Sequence, residues 1–345
     1  MKMVFLLTAV YIIALVLFSE DEAYQNVAQN FEHNGNVLSG TIMLPANKPG
    51  PFSVAVFVHG DGAMPYDAYG YYHSLWNRLA KQGIASFSWD KPGVGSSQGD
   101  WESQNMDDRA YETIAAIEAL KERTDIDSNK IGLIGYSQAG WVLPLVASKS
   151  NDVDFMVVVS GAINWMEQGA YLTKTRLLRE GRSQALINQA IVDFHNTTQQ
   201  YFAPSSTYDQ YLQAYHNDAA LRGDSVEPMT PQRFRFVKLN WKYDARESIK
   251  NITVPTLAVF GEDDLNVNIA ESAMVYRQLF AESGNRDLTV KVFPAAQHAL
   301  LKTKYFDEIV PGIAFITKLE LLGEDAFADT YLDFVTNWVT EKTGS

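Results

Sequence analysis

Cysteine is missing from the 345 residues, so the chain can form no disulfide, no thiolate nucleophile and no Cys-ligated metal. That absence does not report the redox compartment, because many exported proteins also lack cysteine. Long runs of Lys or Arg are missing too, and the formal net charge of −13 would repel a phosphate backbone, which excludes nucleic acid as an expected partner. No His-Glu-x-x-His or spaced carboxylate loop is present, and Gly93-Val94-Gly95 lacks the third glycine of a dinucleotide cradle. No cofactor or metal is therefore expected. Internal repeats and low-complexity tracts are absent as well.

What is present is globular in composition, with 46% hydrophobic and 20% charged residues, in a length that suits one or two domains. The N-terminus carries an apolar run from Met3 to Phe18, closed by Ser19-Glu20-Asp21-Glu22. It sits at the short edge of the roughly 17–25 residues that span a bilayer. Val16-Leu17-Phe18-Ser19 offers no small-residue pair for signal cleavage. Residues 1–19 are read as a signal anchor in preference to a cleaved signal peptide, with membrane contact through residues 3–18. Lys2 favours an inside N-terminus, which predicts a membrane-anchored or exported protein whose body faces the periplasm or exterior.

Beyond that run, Tyr24–Glu32 and Val37–Leu44 flank Asn34-Gly35, the signature of a tight hairpin turn. Phe52–Val58 (FSVAVFV) lacks alternation and reads as a strand buried on both faces. Helix at Tyr69–Gln82, strand at Ala85–Trp89, helix at Asp107–Arg123, strand at Lys130–Gly135, helix at Gln138–Lys149 and strand at Val153–Val159 continue the rhythm. The βαβ alternation predicts an α/β fold with a mostly parallel central sheet and helices on both faces. Between residues 162 and 247 the rhythm stops in favour of helical spacing, giving a helical insertion between core segments 20–161 and 248–345. Its aromatic residues, Tyr171, Phe194, Tyr201, Tyr211 and Phe236 among them, could line a pocket or pack the inserted helices. The rhythm resumes with strand Thr253–Phe260, helix Asn268–Glu282, strand Leu288–Phe293 and a closing helix near Ala328–Glu341.

The main chemical signal is Gly135-Tyr136-Ser137-Gln138-Ala139-Gly140, where a buried strand runs through a serine turn into a helix. Such a turn needs small residues two positions on either side of the serine, and Gly135 and Ala139 hold those places. A serine at a helix N-terminus has backbone N–H groups and the positive helix end available to a developing oxyanion, which suits acyl transfer.

Gly135-Tyr136-Ser137-Gln138-Ala139-Gly140-Trp141 resembles the nucleophile elbow of α/β-hydrolases, especially bacterial esterases and serine-aminopeptidase-like hydrolases. Leu38–Pro45 looks like that family's early hairpin, and His59-Gly60-Asp61-Gly62 follows a strand where the family places its oxyanion loop. Asp90-Lys91-Pro92-Gly93-Val94-Gly95-Ser96-Ser97 resembles a family loop that often has Arg at the place of Pro92. Gly261-Glu262-Asp263-Asp264-Leu265-Asn266-Val267 resembles the acid loop, and Phe293-Pro294-Ala295-Ala296-Gln297-His298 the histidine loop, with Gln297 replacing a common Gly.

The resemblance implies an α/β-hydrolase fold in which 162–247 forms a cap, with a triad in the chain order Ser137, Asp264, His298. Glu262 and Asp263 compete for the acid; Asp264 matches the family's position, third after Gly261. The oxyanion donors would be the backbone N–H groups of Gln138 and Asp61, provided the Asp61 carboxylate turns away from the charge being stabilised. His59 is read as support for that loop, and His33, His73, His195 and His216 as surface or packing residues. The expected reaction is cleavage of a small acyl ester through an acyl-enzyme. The alternatives are cleavage of a short peptide or amide by the same triad and, less readily, a non-catalytic, membrane-tethered binding protein.

Overall fold

The computed structural model describes residues 23–222, 227–307 and 312–345. In chain order the elements are β1 (Tyr24–Ala28), β2 (Phe31–His33), β3 (Asn36–Leu38), β4 (Gly40–Pro45), β5 (Phe52–Val58), α1 (His73–Gln82), β6 (Ile84–Trp89), α2 (Met106–Lys121), β7 (Ile126–Tyr136), α3 (Ala139–Lys149) and β8 (Phe155–Val159). Five helices follow, α4 (Trp165–Arg179), α5 (Gln184–Tyr201), α6 (Tyr208–Arg222), α7 (Pro231–Asn240) and α8 (Arg246–Lys250). The chain closes with β9 (Thr256–Gly261), α9 (Ile269–Ser283), β10 (Leu288–Phe293), α10 (Ile313–Leu322) and α11 (Tyr331–Thr343).

Eight strands form one sheet in the order β1-β4-β6-β5-β7-β8-β9-β10. Only the β1–β4 and β4–β6 pairs are antiparallel; every other neighbouring pair is parallel. The apolar run of β5 has a simple cause, since all seven of its residues are buried. Val54, Val56 and Val58 pack into the core beneath α2, α3 and α9, while Ala55 and Phe57 pack into the opposite core beneath α1 and α11. Two apolar layers therefore sandwich the sheet, as parallel strands require.

Asn34 and Gly35 take φ of 50° and 75°, the positive angles of a two-residue hairpin turn. The hairpin is shorter than the sequence reading: β2 and β3 pair alone in a two-stranded sheet, and the chain breaks at Ser39 before β4 joins β1. At Gly40 a Cβ would lie 2.4 Å from the carbonyl oxygen of Gln29 and 2.6 Å from the Phe87 ring, so the strands meet too closely there for any other residue. The helix expected from Tyr69 begins at His73, because Ala68, Tyr69 and Gly70 take φ of 48°, 57° and 83°. Helix α10 falls where no element was expected.

Among the described residues no strand interrupts the path from β8 to β9. The two ends of this helical stretch meet: Asn164 bridges Asp244, and the Ala245 N–H donates to the Ile163 carbonyl at 2.9 Å. Phe202, Tyr211 and Phe234 are buried against one another, and Phe236 is buried against Trp101 and Trp165, which answers the choice between pocket and packing for these aromatics in favour of packing.

The expected membrane-anchored or exported placement is corrected: among the described residues no helix is long and apolar enough to cross a membrane. The apolar run at 3–18, which carried that expectation and the signal-anchor reading of 1–19, lies outside the described residues.

Candidate active site

Strand β7 delivers Ser137 to the carboxyl edge of the sheet in a strained turn. Its φ is 53°, a left-handed value unfavourable for any residue with a Cβ, and the Ser137 N–H is tied to the Val159 carbonyl at 2.9 Å. The small neighbours are sterically required. A Cβ on Gly135 would fall 2.7 Å from that of Ala139, and one on Gly140 would fall 2.5 Å from the Cα of Gly161. The Ser137 hydroxyl makes no hydrogen bond to His298 in this conformation.

The acid and histidine loops follow β9 and β10, which are parallel neighbours, so both emerge at the same edge. Asp264 is 2% exposed. Its Oδ1 accepts the N–H groups of Asn266 (2.7 Å) and Val267 (2.9 Å), and its Oδ2 lies 2.8 Å from His298 Nδ1. With the carboxylate as acceptor, Nδ1 carries the imidazole proton and Nε2 presents its lone pair. Asp263 is instead hydrogen-bonded by Thr303 Oγ1 at 2.6 Å, so of the three consecutive acids it is Asp264 that reaches the histidine. At Gly261 a Cβ would sit 2.4 Å from the carbonyls of Ala296 and Gln297, which explains the glycine that opens the acid loop. Two tyrosines brace these loops from outside. Tyr171 of α4 donates to the Asp264 carbonyl at 3.0 Å, and Tyr71 donates to the Ala299 carbonyl at 2.6 Å.

On the other side of the serine lies the loop 59–62. A Cβ on Gly60 would stand 3.4 Å from that of Ser137, so this loop packs directly on the turn. His59 is buried: Nε2 donates to the Trp89 carbonyl at 2.7 Å, and Nδ1 accepts from the Tyr72 hydroxyl at 3.0 Å. Burial, assisted by the charges of Lys91 and Arg109 and opposed by the Trp89 bond, pushes its pKa down to about 3, so the ring stays neutral and structural. The Asp61 carboxylate is engaged by Arg233 of α7 at 2.9 and 2.5 Å and by the Gln138 side-chain amide at 3.2 Å. Burial would raise its pKa, but the hydrogen bonds and charge of Arg233, with Lys91 and the Gly62 N–H, hold it below the usual carboxylate value.

Sequence reasoning missed the cations around this loop. Arg109 of α2 is buried and donates to Gln138 Oε1 and to the His59 carbonyl, each at 2.6 Å. Lys91 is 2% exposed and donates to the carbonyls of Gly60 (2.8 Å) and Gly62 (2.9 Å), with Nζ also 4.7 Å from the centre of the Trp101 ring. A long cationic side chain in a glycine-rich loop directly after the buried strand β6 was the only signal for Lys91. Arg109 and Arg233 had none, because their partners lie 29 to 172 residues away.

A cavity of about 780 Å³ elsewhere is lined by Ile252, Thr253, Asn285 and Asp287, at the amino ends of β9 and β10. It faces away from Ser137 and His298, so its size does not make it the reaction site. A smaller pocket of about 30 Å³, lined by Leu265, Asn266, Gln297, His298 and Phe306, opens beside the histidine.

Comparison with known proteins bears on the fold and the family. The chain is 25% identical over 230 residues to a non-heme chloroperoxidase of Burkholderia pyrrocinia, covering 65% of this chain and 78% of that protein. An α/β-hydrolase of Penicillium sp. superposes with a TM-score of 0.58 at 16% identity, over 93% of this chain and 99% of that one. An esterase of Pyrococcus furiosus superposes with a TM-score of 0.55 at 16% identity, over 92% and 90%. At that identity the solved structures speak for the fold alone. Residues 50–304 match the family model described as serine aminopeptidase, S33, and the chain belongs to that family of α/β-hydrolases.

Proposed function

We propose that this hydrolase cleaves carboxylic esters of small molecules through an acyl-enzyme, with Ser137 as nucleophile, His298 as general base and Asp264 as the acid that orients it. The observation that carries the reading is the 2.8 Å contact between His298 Nδ1 and a buried Asp264 carboxylate, at the edge where Ser137 stands in its strained turn. His298 Nε2 takes the proton of the Ser137 hydroxyl as Oγ attacks the ester carbonyl, and the Oγ–Nε2 hydrogen bond tightens only with substrate in place. The oxyanion is received by the N–H groups of Gln138 and Asp61. The alcohol leaves with the proton from His298, and water, deprotonated by the same imidazole, releases the acid.

Residues 162–247 form the cap in this proposal. Their two ends meet at the Asn164–Asp244 bridge, and the segment touches both sides of the site through Tyr171 and Arg233.

Amide cleavage is the second reading, favoured by the description of the matching family as serine aminopeptidase. A panel of acyl esters beside aminoacyl amides separates the two, and a pure amidase profile overturns ester cleavage. For the shared chemistry, a fluorophosphonate probe is expected to label Ser137, and Ser137→Ala to lose about 10⁴-fold or more in p-nitrophenyl ester turnover. Undiminished turnover in that variant would remove Ser137 as the nucleophile, and a wild type that shows neither labelling nor turnover would leave a binding protein.

A further inference from the structure

Lys91 is out of place for a charged residue. Lysine is almost never buried without a carboxylate against it, yet here the ammonium spends two of its donors on main-chain carbonyls, those of Gly60 and Gly62, and turns toward the ring of Trp101. Both carbonyls belong to the loop that packs on Ser137. We propose that Lys91 is the positioning residue of the oxyanion hole: by holding these two carbonyls it turns the Asp61 N–H toward the oxyanion. The inference rests on Ser137 being the nucleophile.

The geometric step is short. A trans peptide is planar, with its C=O and the following N–H pointing in opposite directions. An ammonium at 2.8 Å from the Gly60 carbonyl therefore fixes the direction of the Asp61 N–H, away from Lys91. The loop is shaped for this grip. Gly62 has φ of 96°, which a side chain would resist, and it swings its own carbonyl onto the same ammonium as that of Gly60 two residues earlier. The main chain adds a third tie, because the Lys91 N–H donates to the Met64 carbonyl at 3.0 Å. Arg109 holds the preceding carbonyl, that of His59, and through Gln138 links this loop to the turn that carries the second donor.

Polarisation acts in the same direction as geometry. An N–H donor on the Gly60 carbonyl polarises that peptide and makes the Asp61 N–H a stronger donor. Burial, with the charges of Arg109 and Arg233 and against those of Asp61 and Glu112, pushes the Lys91 pKa well below the ordinary lysine value, and its hold on the loop rests on the two N–H donors it gives to the Gly60 and Gly62 carbonyls. Glu112 is occupied by Trp89 Nε1 and Gln104 Nε2, which leaves Lys91 to the loop.

The test compares Lys91→Met, which keeps the stem and removes the donors, with Lys91→Arg, which restores a forked cationic donor. The readouts are ester kinetics, the melting temperature, and affinity for a trifluoromethyl ketone that forms a tetrahedral adduct on Ser137. Folded Lys91→Met is expected to lose about 10²-fold or more in kcat with KM within threefold of the wild type, and to lose ketone affinity by a similar factor. Lys91→Arg should recover most of both. A folded Lys91→Met with kcat and ketone affinity within threefold of the wild type overturns the proposal, as does a loss confined to melting temperature. Should Lys91→Met not fold, Lys91→Gln keeps a neutral amide donor on a shorter stem; a tenfold fall in kcat at unchanged KM supports the role, and wild-type kcat overturns it. Failure of the wild type itself to react with the ketone or with a fluorophosphonate at Ser137 would bring down the nucleophile assignment and this inference together. Normal wild-type reactivity with an indifferent Lys91 variant brings down this inference alone.

Discussion

The two sides of Ser137 are held by different physics. On the histidine side, Asp264 is fixed by amides two and three residues ahead in its own loop and meets His298 at 2.8 Å. On the oxyanion side, loop 59–62 is held by side chains from remote parts of the chain: Lys91, Arg109 and Arg233. A carboxylate stabilised by adjacent amides is specified locally and survives changes elsewhere. A loop suspended from buried cations depends on the whole fold. The difference predicts that the histidine side fails in chemistry when altered, while the oxyanion side fails in stability and acid tolerance as well.

The largest effect should come from the histidine side. In Asp264→Asn the amide oxygen can still accept from Asn266 and Val267, but the group facing His298 no longer selects the Nδ1–H tautomer. Turnover is expected to fall about 10⁴-fold while the melting temperature changes little. A fall of less than tenfold in kcat would remove Asp264 from the orienting role and erase the contrast.

The second effect belongs to the oxyanion side. His59 is neutral in the folded protein with a pKa near 3, against 6.5 as its ordinary value. The unfolded chain therefore takes up a proton that the folded chain refuses. The contribution is fully present above about pH 6.5 and is lost as pH falls toward 3, by up to about 1.4 kcal/mol per pH unit. Urea midpoints measured from pH 7 to pH 4 should fall more steeply for the wild type than for His59→Gln, which keeps a donor for Trp89 but cannot be protonated. Equal slopes would show that His59 is not a source of acid sensitivity.

The same contrast explains what could be read from the sequence. Ser137, Asp264 and His298 lie in short segments whose backbone demands small residues, and the clashes a Cβ would make at Gly135, Gly140 and Gly261 are what the motifs encode. The sheet was legible because β5, β8 and the Ile131–Gly135 stretch of β7 are buried on both faces and lose their alternation. The pairing of β1 with β4 was not, since the break that separates it from the Asn34-Gly35 hairpin answers to a contact between Gly40 and Phe87, 47 positions apart and silent in a linear reading. Lys91, Arg109 and Arg233 were missed for the same reason. A charged side chain in a loop or on a helix looks solvated until the fold removes the solvent.

The smallest effect sharpens the comparison within the oxyanion side itself. The Arg233–Asp61 pair is only partly covered, with side chains 30% and 40% exposed, whereas Lys91 and Arg109 are buried. An exposed pair contributes about 1 kcal/mol or less, so Arg233→Gln should cost little stability. Its effect should lie in the placement of α7 over the loop and appear as a KM raised a few-fold. The Asp61 carboxyl is held below its ordinary value of 3.8, so the pair contributes above about pH 4 and is lost as pH falls through the lower folded value. The gap between wild type and Arg233→Gln should accordingly narrow below pH 4. A gap well above 1 kcal/mol, or one unchanged at pH 3, would place Arg233 with the buried cations and make the whole oxyanion side a single suspended unit.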